Sequence, residues 1–175
     1  MKNSIGIHAL VWSGTWNLKD IENSIKLSKQ LGYDLIEIPL LDPFNFDIKN
    51  TKKYLDKYKF NSVTSLGLSE ETDISSSEEQ HRINGKKILE KALDVTFELG
   101  SDYMGGVLYS ALAKYHHPPN NESKKRSAEI LHHLSIKAKN YGIKIGLEPV
   151  NRYESNLINT AQQAIDFINM ADSDN

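Results

Sequence analysis

Two carboxylates, an amide and a guanidinium fall within nine positions in the run GLEPVNRYE, residues 146–154, directly after the apolar-polar stretch YGIKI. Glu148 and Glu154 stand six positions apart, with Asn151 and Arg152 between them. Oxygen donors at this density suit two tasks: ligation of a hard divalent cation, and acceptance of hydrogen bonds from the hydroxyls of a polyol. The plain structural alternative is that Glu148 closes a strand and pairs with Arg152. The place of the run in the fold decides between them, and that place is set by the elements before it.

Those elements repeat one pattern. SIGIHALVW (about 4–12) is a strand-like run, and NLKDIENSIKLSKQLG follows with Ile21, Ile25 and Leu31 at helical spacing, Asn17 as N-cap and Gly32 as stop. YDLIEIPL (33–40) is a second strand with Pro43 beyond it, and DIKNTKKYLDKY (47–58) its amphipathic helix. FNSVTSLGL (60–68) is a third strand, and the charged stretch SEETDISSSEEQ leads to a helix over about 79–99 closed by Gly100. DYMGGVLY (102–109), a polar loop AKYHHPPNNESKK and a helix over 127–142 form the fourth unit. IKIGLE (143–148) and a helix over 160–171 form the fifth.

Five alternating units predict parallel strands, right-handed crossovers and helices on the outside. An open doubly wound sheet and a TIM-type barrel both satisfy this, and the spacing favours the barrel, since eight units of roughly 35 residues reach the ~250 residues or more usual for that fold. The fold class expected is therefore α/β, a partial TIM-type (β/α) barrel of about five βα units out of eight, with residues 1–175 as a single domain. If 143–148 is a parallel strand, Glu148 lies at its C-terminal end, on the face where such sheets hold ligands.

Composition narrows the partners. The chain has 175 residues with 21 Lys and Arg against 23 Asp and Glu, so there is no basic excess to neutralise phosphates and nucleic acid is not expected. With no cysteine, thiolate chemistry is excluded and any metal must use oxygen or nitrogen donors. The opening MKNSIGIHALVWSG is too short to span a membrane and lacks a small-residue cleavage site, so no membrane partner and a cytoplasmic location are expected.

GLEPVNRYESNLINTAQQAIDFI resembles the fifth-strand segment of the ketose 3-epimerases, the D-tagatose and D-psicose 3-epimerase family of the xylose isomerase-like TIM barrels. IGIHALVWSGTWNLKD, LGYDLIEIPL, SLGLSEETDISS and GGVLYS are similar to that family's first four strand and loop segments, in order. The resemblance implies metal-dependent epimerisation at C3 of a ketohexose of the D-tagatose, D-psicose or D-fructose type through a cis-enediolate. It makes Glu148 a ligand of Mn²⁺ or Co²⁺ and one of two carboxylates that exchange the C3 proton. It makes Glu154 a partner of the sugar hydroxyls, Trp16 an aromatic wall and His8 a neighbour of the sugar, with Gly67, Gly105 and Gly106 where backbone passes close to the substrate. The remaining metal ligands and the second acid/base group belong to later strands, so the 175 residues alone are expected to be inactive or nearly so. Leu112 stands where relatives often carry Trp.

Other readings stay open beside these. Trp12, Trp16 and His8 also suit plain packing positions. Glu37 in LIEI is read as structural, His116–His117 and His132–His133 as solvated pairs, and SEETDISSSEEQ as a solvated loop with Ser77 to Gln80 as a capping box at the helix start. A hydroxypyruvate isomerase or inosose dehydratase type of enzyme and a non-catalytic fragment are the alternatives. A DNA-repair endonuclease of the same superfamily does not fit the near-neutral charge. Open strand edges predict a homo-oligomer.

Overall fold

The computed structural model describes residues 3–175; Met1 and Lys2, the first residues of the N-terminal run, lie outside the described residues. Its elements run in strict alternation: β1 (Gly6–His8), α1 (Leu18–Gln30), β2 (Leu35–Pro39), α2 (Ile48–Tyr58), β3 (Asn61–Leu68), α3 (Glu79–Leu99), β4 (Tyr103–Ala111), α4 (Asn121–Asn140), β5 (Lys144–Ile145) and α5 (Ala161–Ala171). All neighbouring strands are parallel, and their order in the sheet is their order in the sequence. A doubly wound sheet reverses direction at a switch point. This one does not, and its order is that of five successive units of a TIM barrel.

Period-two alternation sorts each strand between two environments. In β2, Ile36 and Ile38 are fully buried under the helices, while Leu35 and Glu37 are only half-buried. In β3, Ser62, Thr64, Leu66 and Leu68 are buried, and Val63, Ser65 and Gly67 are more open on the other face. Hydroxyls sent toward the helices are paired: Thr64 Oγ1 lies 2.7 Å from Thr96 Oγ1, and Ser62 Oγ 2.7 Å from Ser101 Oγ. Between sheet and helices sits an apolar core that includes Ile21, Ile25, Leu89, Leu93, Leu108 and Ile143.

The helix boundaries follow local chemistry. Asn17 caps α1 by accepting from Lys19 N and Asp20 N, and Gly100 closes α3 in the left-handed conformation at φ 78°. Helix α4 begins at Asn121, six residues before the expected start, because the Asn120 side chain accepts from Ser123 N at 2.8 Å and Pro118–Pro119 end the preceding loop. β1 is shorter than the predicted run: after His8 the chain makes one 3-10 turn, Ala9–Val11, with Trp12 N donating to Ala9 O. The regular part of β5 is Lys144–Ile145, although Gly146 N and Glu148 N still donate to Met104 O and Gly106 O of β4.

Three smaller expectations are corrected. The stretch after β3 is not a solvated loop, since Asp73, Ile74 and Ser75 are buried and Asp73 accepts from Ser75 and, at 2.6 Å, from the Tyr115 hydroxyl. The helix that follows has no capping box at 77–80; its N-cap Glu78 makes no side-chain cap, and Ser76 Oγ accepts from Glu78 N instead. His132 is half-buried with Nδ1 2.8 Å from Ala171 O, whereas His116, His117 and His133 are exposed.

The 72–74 stretch is seated on Gly85, where any Cβ would collide with Thr72 O and the Ile74 side chain. Ala in place of a mid-helix Gly ordinarily stabilises by about 1 kcal/mol. Here Gly85→Ala is expected to lower stability by about 1–3 kcal/mol through overpacking, read as a lower midpoint in thermal or urea unfolding. A raised midpoint would show that the loop does not rest on the helix.

Candidate active site

The open face of the sheet holds a cavity of about 410 Å³ at the C-terminal ends of the strands. Its walls include His8 from β1, Glu37 and Pro39 from β2, Gly67 from β3, Gly106 from β4 and Glu148 beyond β5. Four positions singled out in the sequence, His8, Gly67, Gly106 and Glu148, thus meet at one cavity. Glu148 is exposed there, and its carboxylate makes no hydrogen bond or ion pair with any described residue. The expected alternative, a pair with Arg152, is not formed.

The main chain at Glu148 is held from below. Glu148 N donates to Gly106 O at 3.0 Å, and the Tyr109 hydroxyl is 2.9 Å from Glu148 O and 3.1 Å from Ile158 O. One buried phenol therefore ties the strand end to the chain returning toward α5. Burial pushes that phenol up to about 12, so it remains a donor across the neutral range. Ser110 Oγ to Ser155 Oγ at 2.7 Å and Ala113 N to Glu154 O at 2.7 Å fix the rest of the 149–158 loop to the end of β4.

Glycine shapes the floor. A Cβ on Gly106, which sits at φ 120°, would collide with Leu66 O, so only glycine lets β4 pass this close to β3. Gly105 and Gly146 leave room for the ring of Tyr103, which a Cβ at either position would strike. With Glu37, Gly105, Gly106, Gly146 and Glu148, the Tyr103 ring lines a second hollow of about 360 Å³ that shares the carboxylate walls. Burial first, then the negative charges of Glu37 and Glu148, raise the Tyr103 phenol above its usual range. Both carboxylates thus act on one ring, although β2 and β5 are separated by two strands.

Of the other sequence candidates, Trp16 lies beside this cavity. Trp16 lines an adjoining cleft of about 180 Å³ with Phe46, and the two clefts share Pro39 and Leu41. The Trp16 indole donates to Thr51 Oγ1 at 3.0 Å and stacks on Phe46 with centroids 6.4 Å apart. Glu154 is not among the lining residues of either cleft; its carboxylate accepts from the Asn151 side chain. Leu112 lines the main cavity and would meet a Cβ on Gly67 at 3.3 Å.

Sequence reasoning passed over Glu37 and Tyr103. The signal for Glu37 was present: an ionisable residue between two isoleucines of one strand points away from the face that the isoleucines bury. Nothing in the order of residues announced Tyr103, whose place depends on two glycines from different strands.

Among the described residues no three His, Cys, Asp or Glu side chains come together as a metal site. Glu148 by itself offers a free carboxylate of the kind a hard divalent ion takes. No helix among the described residues is long and apolar enough to cross a membrane.

The arrangement of strands is that of a (β/α) barrel, and a carboxylate and glycines converge at their C-terminal ends. Residues 25–175 match the family model described as xylose isomerase-like TIM barrel, and the chain belongs to that family. It is 38% identical over 164 residues to a ketose 3-epimerase of Arthrobacter globiformis, with 94% of this chain and 57% of that protein covered. It is 41% identical over 163 residues to an L-ribulose 3-epimerase of Methylomonas sp., with 93% and 57% covered. The crystal structure of D-allulose 3-epimerase from Methylomonas sp. in complex with D-allulose superimposes with a TM-score of 0.94 at 40% identity, covering 96% of this chain and 58% of that one. The chain spans rather more than half the length of these relatives, and its resemblance within the family is to ketose 3-epimerases.

Tyr109→Phe removes the donor shared by two carbonyls at the strand end. It is expected to cost about 1–3 kcal/mol, the range for leaving a buried polar group unsatisfied, measured by chemical denaturation. An unchanged midpoint would mean that the tether does not hold the Glu148 main chain.

Proposed function

We propose that this chain carries the Glu148 side of the active site of a metal-dependent ketose 3-epimerase, acting on free ketohexoses such as D-allulose, D-tagatose and D-fructose. The observation that carries the reading is an unpaired carboxylate just beyond β5, facing a cavity whose lining, among the described residues, contains no Lys or Arg. Among the described lining residues a phosphorylated sugar would find two carboxylates, Glu37 and Glu148, and neither Lys nor Arg to receive its charge. A neutral polyol suits such walls.

Epimerisation at C3 begins with loss of the proton alpha to the C2 carbonyl. In this reading Glu148 accepts that proton, the electron pair moves into the C2–C3 bond to give a cis-enediolate, and a proton delivered to the other face completes the inversion. One carboxylate serves one face of the carbon. The group for the opposite face, and further metal donors, are assigned by the resemblance to later strands of a longer barrel. Glu148 would hold a divalent ion, Mn²⁺ or Co²⁺, which supplies Lewis-acid polarisation of the ketose carbonyl. Gly67 and Gly106 allow backbone to lie against the sugar. His8 and Trp16 would flank it, and Glu154 would reach its hydroxyls on turning from Asn151.

At full encoded length, the protein is expected to interconvert D-allulose and D-fructose, with Glu148→Gln lowering kcat by about 10²–10⁴ as for loss of a general base. Near-normal turnover in that variant would overturn the assignment. Chelation is expected to remove the activity and Mn²⁺ or Co²⁺ to restore it, whereas activity that survives chelation would contradict the metal. The 175 residues on their own bring one of the two proton-transfer groups, and negligible turnover is expected from them in the same assay.

A further inference from the structure

Glu37 is the second carboxylate on the cavity, and the chemistry above gives it no task. It stands mid-strand between Ile36 and Ile38, both fully buried, at a place where a parallel strand gains most from an apolar side chain. Its one ion-pair neighbour among the described residues is His8, directly across the β1–β2 ladder in register, with Nε2 3.6 Å from Oε1. That separation exceeds a hydrogen bond, and 35% and 40% of the two side chains are exposed to the cavity, so mutual attraction contributes little. No other described residue donates to the Glu37 carboxylate.

The tautomer of His8 follows from its other nitrogen. Leu10 N donates to Nδ1 at 3.2 Å, which makes Nδ1 the acceptor and puts the proton of the neutral ring on Nε2, facing Glu37. A fixed N–H donor and a fixed carboxylate acceptor therefore stand side by side on one wall. A carbonyl would satisfy the imidazole and leave Glu37 facing lone pairs. An ammonium would satisfy Glu37 and set donor against donor at His8. An anion would be repelled by Glu37. A hydroxyl, which donates and accepts at one atom, satisfies both.

We propose that Glu37 and His8 form a hydroxyl-reading pair that holds the end of a polyol remote from Glu148, making Glu37 a specificity-determining residue. The inference rests on the epimerase reading, because it takes the reacting carbon to lie at Glu148. Glu37 and Glu148 come from strands separated by β3 and β4, yet both line the same cavity. A ketohexose between them presents its C3 region to one wall and a distal hydroxyl to the other.

The test measures Kd by calorimetry, with the protein at its full encoded length, for D-allulose and its 4-, 5- and 6-deoxy derivatives. One deoxy sugar is expected to bind about tenfold or more weakly than D-allulose, the loss for a hydrogen bond to a charged group. In Glu37→Leu that penalty is expected to vanish to within about twofold, while D-allulose itself binds about tenfold more weakly. Glu37→Gln, which keeps the shape, is expected to lie between the two and to unfold at the parent temperature, so that a folding defect cannot imitate the result. Deoxy penalties that are the same in all three proteins would overturn the inference and leave the epimerase reading standing. Failure of the parent to bind any ketose would overturn both.

Discussion

The Tyr109 hydroxyl bonds the carbonyls of Glu148 and Ile158, and the geometry of the site descends from that junction. A carboxylate at the end of a short strand has little ladder to hold it, since regular pairing in β5 covers Lys144–Ile145 alone. The phenol supplies the missing restraint from inside the core, where Tyr109 is fully buried and Ser127 Oγ donates to its carbonyl at 2.6 Å. Restraint of the main chain leaves the side chain free. Glu148 can therefore point into the cavity without a protein partner, the condition a carboxylate needs if it is to meet substrate or metal.

The cavity itself comes from subtraction. Gly67, Gly105, Gly106 and Gly146 remove side chains from the inner face, and the space is divided between the Tyr103 ring and the open hollow above it. One large ring from β4 takes the space that Gly105 and Gly146 leave. Burial first, and then the field of both carboxylates, raises the phenol of this ring, so it stands beside them as a neutral hydroxyl. Charge on the walls and a neutral floor suit a ligand rich in hydroxyls.

Much of this was legible in the residue order. Alternation of apolar and polar positions gave every strand, Asn17, Gly32 and Gly100 gave helix ends, and the unbroken βα rhythm gave the sheet order. Glu148 drew notice by its place at a strand end, whereas His8, Gly67 and Gly106 came from the family resemblance alone; the four line one cavity. What stayed hidden depends on contacts between distant segments. The start of α4 turned on a single capping Asn120 inside a run that reads as loop, and the burial of Ile74 depends on a notch at Gly85. Trp16 and Glu154 share a neighbourhood with the cavity in sequence resemblance, yet their side chains are engaged with Thr51 and Asn151. Glu37 looked structural because its strand is apolar, although the same alternation that buries its neighbours turns it inward.

The central claim is that Glu148 moves the proton on C3 of a ketose. It is tested most directly by running the reaction of the full-length protein on D-allulose in D₂O and locating the label by NMR. Deuterium confined to C3 of substrate and product, and absent with Glu148→Gln, is the expected result. Label at C1, or C3 exchange at the parent rate in that variant, would contradict it.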